Sequence, residues 1–101
     1  MQLQQLEERM HAFVQSKGWY EDNSPKQQIP RNLAASLVIE AAEVLEHFQW
    51  RDETADRDAL AGELADVALY LLQLASVSGI DLEQAILSKL DENQKREWPA
   101  P

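Results

Sequence analysis

Apolar residues recur at helical spacing in four stretches of the chain and predict four α-helices. The predicted helices cover about residues 2–17, 31–50, 56–78 and 81–97. No stretch shows the sustained alternation of a β-strand, and no internal repeat interrupts the pattern. The sequence therefore predicts an all-α fold, in which one domain of residues 1–101 forms a four-helix bundle.

Turn formers and capping residues mark the boundaries of these helices. Gly18 and Gly79 follow the first and third helices, where glycine commonly ends a helix. Thr54 or Asp56 would cap the third helix. Asp81, with a glutamine three residues later, resembles a capping box that opens the fourth.

Polar residues of the second helix lie on one narrow stripe of an otherwise apolar surface. Between Leu33 and Leu45 the only polar residues are Ser36, Glu40 and Glu43. Extending the pattern in both directions adds further polar or aromatic positions at spacings of three and four: Asn32, His47 and Trp50. At about 100° per residue, all of these side chains share one face.

The third helix repeats this arrangement. Its polar positions follow one another at spacings of three and four residues: Glu63, Asp66, Tyr70, Gln73 and Ser76. A helix that is apolar around most of its surface is normally buried. Its carboxylates are then costly unless they are protonated, paired or bound to a metal ion.

An antiparallel pairing of the two helices would bring the carboxylates together. If the turn centres near residue 53, Glu43 faces Glu63 and Glu40 faces Asp66. Neither helix carries Lys or Arg between residues 32 and 50 or between 58 and 78, so a bound cation is the available partner. Oxygen-only ligands favour Mg²⁺, with Mn²⁺ as the alternative.

Two alternatives to a magnesium site are a solvated helix face and a di-iron site. A single Glu-x-x-Glu is usually a solvated helix face, but two facing pairs inside apolar helices make that interpretation costly. Di-iron bundle proteins use Glu-x-x-His on two helices, and neither helix here contains it. His11 and His47 are interpreted as structural or surface residues.

Composition narrows the range of partners. The net charge of −9 disfavours binding to DNA or RNA backbones. The chain has no cysteine, no recognisable secretory signal and no uninterrupted apolar stretch of about 18 residues, so we expect a cytoplasmic protein without a membrane span. Strongly apolar helices in so short a chain suggest that a partner subunit covers them.

The fourth helix and the aromatic residues supply candidates for substrate binding. Lys89, Asn93 and Arg96 share one face of the fourth helix, and their side chains suit phosphate groups. Taken by themselves, three such positions more often form a solvated helix face than a phosphate-binding site. The candidates for stacking on a base are Trp19 in the loop of residues 18–30, Trp50 at a helix end, Tyr20 and Trp98. Core packing is the commoner role for any single tryptophan.

These residues resemble those of the MazG-like nucleotide pyrophosphohydrolases, and within them the all-α dCTP pyrophosphatase subgroup. The family signature, Glu-x-x-Glu followed after a spacer by Glu-x-x-Asp, is matched by residues 40–43 and 63–66. Flanking segments are also similar: Pro30-Arg-Asn-Leu33, Phe48-Gln-Trp50, Asp66-Val-Ala-Leu-Tyr70 and Ser88-Lys-Leu-Asp-Glu-Asn93 with Arg96. The similarity spans roughly residues 10–99.

The resemblance implies hydrolysis between the α and β phosphates of a nucleoside triphosphate, giving the monophosphate and pyrophosphate. It implies that Glu40, Glu43, Glu63 and Asp66 bind Mg²⁺ and that one of them positions or deprotonates the attacking water. The implied substrate is dCTP or a modified deoxynucleotide, within nucleotide-pool housecleaning. The implied substrate-binding residues are Trp19, Asn32, Trp50, Tyr70, Lys89, Asn93 and Arg96.

The resemblance further implies a homodimer, or a tetramer of two dimers, with active sites near the interface. Two departures from the family pattern bear on base preference. Ile39 stands where many relatives have a further glutamate, and residues 27–29 lack the histidine of some subgroup members. The competing hypothesis is a non-enzymatic oligomerisation module, whose acidic stripes would form polar contacts between subunits.

Overall fold

Four α-helices and no β-strand make up residues 1–100, the part of the chain that the computed structural model describes. Helix α1 spans Leu3–Ser16, α2 spans Pro30–Glu46, α3 spans Arg57–Val77 and α4 spans Leu82–Lys95. The predicted all-α class and the number of helices are confirmed. Pro101, the last residue of the predicted domain, lies outside the described residues.

The ends of α1, α3 and α4 follow the sequence signals closely. Asp56, rather than Thr54, caps α3, and its carboxylate accepts a hydrogen bond of 3.0 Å from the backbone N–H of Ala59. Asp81 caps α4 in the same way. Gly18 and Gly79 have φ values of +72° and +71°, which glycine adopts without the steric cost of a side chain.

Helix α2 ends four residues earlier than predicted. The backbone N–H groups of His47 and Phe48 donate to the carbonyls of Val44 and Leu45, three residues back rather than four. Such bonds tighten the last turn of a helix and satisfy its free carbonyls. Residues 47–50 therefore form a turn, so Trp50 lies outside α2.

Helix α3 lies at the centre of the fold and contacts the other three helices. Its most extensive partner is α2, and the two form the helix pair that carries the acidic residues. The apolar core lies where α1 crosses the C-terminal half of α3, around the buried side chains of Met10, Val14 and Leu72. Trp19 and Tyr20, from the loop after α1, pack against this core.

A single chain does not close into a compact bundle. The Cα radius of gyration is 16.4 Å, whereas a compact domain of about 100 residues has roughly 13 Å. No residue of α4 is buried within residues 1–100. Large apolar side chains stay exposed on α2 and α4: Val38, Ile39, Leu45, Ile86, Leu87 and Leu90. These surfaces are of the kind that a partner subunit covers.

Helix α3 has the length and composition of a membrane span. Its mean hydropathy reaches 1.4 over 18 residues, of which 17% are buried within the chain. The core helix of a soluble protein passes the same test. Glu63 and Asp66 both lie on this helix.

Candidate active site

The acidic residues lie on the facing surfaces of α2 and α3. Glu40 and Glu43 are half-buried on α2, whereas on α3 Glu63 is half-buried and Asp66 is exposed. The carboxylates of Glu43, Asp66 and Glu63 are all close enough to Glu40 to act on its ionisation. The structure thus brings the two predicted pairs into one neighbourhood.

Glu40 has one carboxylate oxygen that is buried. Its Oε2 atom is inaccessible to solvent and has no hydrogen-bond partner within the described residues. Burial raises the pKa of Glu40 above the usual glutamate value, and the Glu43 carboxyl beside it and the charges of Asp66 and Glu63 raise it further. An unpaired, desolvated carboxylate oxygen beside like charges is unfavourable unless a proton or a cation joins it.

The donor set fits a hard divalent cation. All four groups are carboxylates, the ligands that Mg²⁺ and Mn²⁺ prefer, and the unpaired Glu40 oxygen is available for coordination. Among residues 1–100, however, no three acidic or imidazole side chains are already gathered as they would be around a bound ion.

Glu63 is held by a residue that the sequence did not assign to the site. The Nε2 atom of His47 hydrogen-bonds to Oε2 of Glu63, and its Nδ1 atom lies 2.6 Å from the Thr54 hydroxyl. The signal was present, since His47 lies on the same stripe four residues after Glu43. Spacing alone does not reveal the partners of a histidine, so the sequence predicts only a structural or surface role for His47.

A cavity of about 410 Å³ opens beside the acidic residues. Trp19 and Tyr70 are among its aromatic walls, Asp66 lies at its acidic side, and Arg9 supplies a cation. Its volume is in the range of small-molecule sites, which are mostly apolar with a few polar groups. Asp66 is therefore common to the acidic group and to the cavity.

A second cavity, of about 340 Å³, shares Trp19 and Tyr70 with the first. It is lined on its polar side by Asn32, Ser36 and Lys26, and the Lys26 ammonium lies 5.1 Å from the centre of the Trp19 ring. The Asn32 side chain donates to the backbone carbonyl of Gln27 at 2.9 Å. Three predicted substrate-binding residues, Trp19, Asn32 and Tyr70, are thus brought together.

A buried hydrogen-bond network fixes the loop that forms these cavities. Gln73, only 3% exposed, donates to the Tyr20 hydroxyl at 3.2 Å and to Oε1 of Gln28 at 2.7 Å. His11 bridges the Tyr20 hydroxyl, at 2.5 Å, and the Ser76 hydroxyl, at 2.7 Å. Burial raises the pKa of Tyr20, and the hydrogen bond from Gln73 opposes that shift.

Gln28 lines both cavities, although no pattern in the sequence points to such a role. It lies in the loop between α1 and α2, where helical spacing provides no signal. Gln73 was placed on the polar stripe of the third helix, which was the available signal. Its partners lie more than forty residues away in the sequence, so its function as an anchor required the tertiary structure.

The remaining predicted substrate residues lie elsewhere within one chain. Trp50 is 87% exposed in the turn after α2. Lys89, on α4, pairs with Glu92 at 3.5 Å, and the guanidinium of Arg96, the residue that follows α4, stacks over Trp98 at 4.2 Å. Neither cavity is lined by Trp50, Lys89, Asn93 or Arg96. The cations that one chain places at the cavities are Arg9 and Lys26 instead.

Comparisons with known proteins identify the family to which the chain is similar. A model of the MazG-like family matches residues 35–100, which include all four carboxylates. The mouse (Mus musculus) protein dCTP pyrophosphatase 1 is 39% identical over 98 residues, covering 87% of this chain and 55% of the relative. Its human (Homo sapiens) counterpart is 38% identical over 102 residues, covering 91% and 56%.

The chain thus spans about half the length of the curated relatives it matches. A crystal structure of a pyrophosphatase from Archaeoglobus fulgidus matches the fold with a TM-score of 0.72 and 34% sequence identity. The match covers 91% of this chain and 88% of that one. The sequence comparisons and the fold comparison thus both find proteins that are named as pyrophosphatases.

Proposed function

The chain belongs to the MazG-like family, and we propose that it hydrolyses a nucleoside triphosphate between the α and β phosphates, releasing the monophosphate and pyrophosphate. The observation that carries the proposal is the unpaired Glu40 oxygen within an acidic group that adjoins an aromatic cavity. An acidic protein holds a polyanionic substrate only if a cation lies between them. The relatives named as dCTP pyrophosphatases support a nucleotide as that substrate.

We propose Mg²⁺ as the cation, with Mn²⁺ as the alternative, held by Glu40, Glu43, Glu63 and Asp66. When bound, the ion supplies Lewis-acid polarisation of the phosphate and neutralises its charge. One carboxylate of the set orients the attacking water and accepts its proton, which is the usual function of a general base. Asp66, which also lines the cavity, lies at the junction of the acidic residues and the substrate.

The nucleoside is proposed to occupy the space between Trp19 and Tyr70. Aromatic side chains stack on a base, and the carboxamide of Asn32, together with that of Gln28, offers polar contacts to a sugar or base edge. The proposed substrate is dCTP or a modified deoxynucleotide, within nucleotide-pool housecleaning in the cytoplasm. Neither a nucleic acid polymer nor a membrane is needed for this reaction.

Lys89, Asn93 and Arg96 are proposed to contact phosphate groups within a homodimer, or a tetramer of two dimers. In one chain they do not line the cavities, so a second copy must bring them, and Trp50, to the substrate. The exposed apolar side chains of α2 and α4 support such an assembly.

The direct test is a panel of canonical and modified dNTPs and NTPs, scored for pyrophosphate release with Mg²⁺ present. Glu63→Gln and Asp66→Asn should abolish release, because each removes a ligand charge. Asp58→Asn, a matched change at an exposed position of the same helix, should leave it intact. No release from any nucleotide, together with a melting temperature that Mg²⁺ does not alter, would support the oligomerisation module instead.

A further inference from the structure

His47 joins the turn before α3 to the acidic group through two hydrogen bonds. Its side chain is 13% exposed, and its two ring nitrogens contact Thr54 on one side and Glu63 on the other. Glu63 is itself 26% exposed, so the contact is shielded from water. Of the two histidines, His47 alone contacts one of the proposed metal ligands within the described residues.

The surrounding hydrogen bonds select the tautomer of His47. The backbone N–H of Asp56 donates to the Thr54 oxygen at 3.2 Å. The Thr54 hydroxyl proton can go to the Asp56 carbonyl at 3.2 Å or to Nδ1 of His47 at 2.6 Å, and the shorter distance favours the ring. A neutral imidazole that accepts at Nδ1 carries its proton on Nε2, which then donates to the Glu63 carboxylate.

These consecutive hydrogen bonds, from Asp56 through Thr54 and His47, restrict the Glu63 side chain. A free glutamate samples many rotamers, and ordering it costs free energy when a ligand binds. His47 engages Oε2 of Glu63 and leaves Oε1 without a partner in the described residues that would compete with a cation. Because Asp56 also caps α3, the orientation of Glu63 is tied to the start of its own helix.

We propose that His47 is a positioning residue, which holds the Glu63 carboxylate ready for the divalent cation, while the Thr54 hydroxyl fixes the His47 tautomer. This inference rests on the proposed function, since it assumes that Glu63 is a metal ligand. Hydrogen-bond partners of this kind commonly change metal affinity by 10- to 100-fold when removed.

The test is the Mg²⁺ dissociation constant, measured by isothermal titration calorimetry on the full chain without nucleotide. His47→Leu should weaken Mg²⁺ binding about 10-fold. Thr54→Val, which keeps the shape but loses the hydroxyl, should weaken it less, and Thr54→Ser should restore wild-type affinity. Unfolding in EDTA, followed by circular dichroism, verifies that each variant is folded.

His11→Leu is the matched control, because His11 also makes two hydrogen bonds but touches none of the four carboxylates. It should lower stability and leave the Mg²⁺ affinity unchanged. Equal affinity in wild type and His47→Leu would overturn the inference and leave the proposed function intact. Tighter binding in His47→Leu would also overturn it, since His47 would then compete with the cation. A wild type that binds no Mg²⁺ would overturn both.

Discussion

Gln73→Met tests whether the buried carboxamide network sets the geometry of the nucleoside cavity. Gln73 is 3% exposed and donates one hydrogen bond to Tyr20 and one to Gln28. Methionine has a similar length and no branch, so it removes both donors with little change in volume.

The expected loss of stability follows from the two hydrogen bonds that Gln73 donates. Each lost hydrogen bond contributes about 0.5–1.5 kcal/mol, so the pair is worth roughly 1–3 kcal/mol. Tyr20 keeps its bond to His11 and half-buried Gln28 can bind water, so neither partner is stranded. We therefore expect a loss of about 1–2 kcal/mol in the free energy of unfolding, or roughly 4–16 °C in Tm.

The catalytic effect should appear in KM rather than in kcat. Without Gln73, the Gln28 side chain loses its anchor at the wall shared by both cavities, and KM should rise by about 3- to 10-fold. The carboxylates are untouched, so kcat should be close to the wild-type value.

Urea denaturation and steady-state pyrophosphate release measure the two quantities, with Gln84→Met, at an exposed position of α4, as the matched control. A stability change below about 0.5 kcal/mol, the range of ordinary surface substitutions, would refute the reasoning. So would a fall in kcat at constant KM.

Three further outcomes are expected. Glu63→Gln and Asp66→Asn should each lower kcat by about 100-fold or more, measured as pyrophosphate release, because each removes a charge that the cation requires; activity within a few-fold of wild type would contradict this. In EDTA, the contribution of Glu40 to stability should fall as the pH rises above 4.5, because its raised pKa lets the folded protein retain a proton that the unfolded chain releases. That contribution is complete below 4.5 and is lost as the pH rises through the folded-state pKa, so urea unfolding of Glu40→Gln should show a weaker pH dependence. Trp19→Ala should raise KM for the nucleotide about 10-fold, since base stacking on an aromatic ring contributes roughly 1–3 kcal/mol; an unchanged KM would place the base elsewhere.

The sequence predicts which residues share one face of a helix, because the helical repeat depends only on residues close together in the chain. Glu40 and Glu43 share a stripe for reasons of spacing alone, and the structure places Glu43, Glu63 and Asp66 near Glu40. The caps behaved in the same way: the short side chain of Asp56 reaches a backbone N–H three residues on, which requires no tertiary contact.

Partners distant in the sequence could not be predicted in this way. Spacing puts His47 on the acidic stripe, but its bond to Glu63 depends on how far α2 and α3 are offset along each other. The early end of α2 is of the same kind, since its last turn tightens where the chain turns towards α3. Side-chain packing between helices sets that offset, and a hydrophobic pattern does not encode it.

The sequence by itself thus determined the four helices, the ends of α1, α3 and α4 and the face that each predicted carboxylate occupies, because each follows from neighbours within one or two turns. Only the tertiary structure decided which of these groups are joined: His47 to Glu63, Gln73 to Gln28, and Asp66 to the aromatic cavity. It also showed that Lys89, on α4, and Arg96, just after it, stay apart from the cavities within one chain. The physical reason is that contact between helices depends on their crossing angle and offset, which the packing of many side chains settles together.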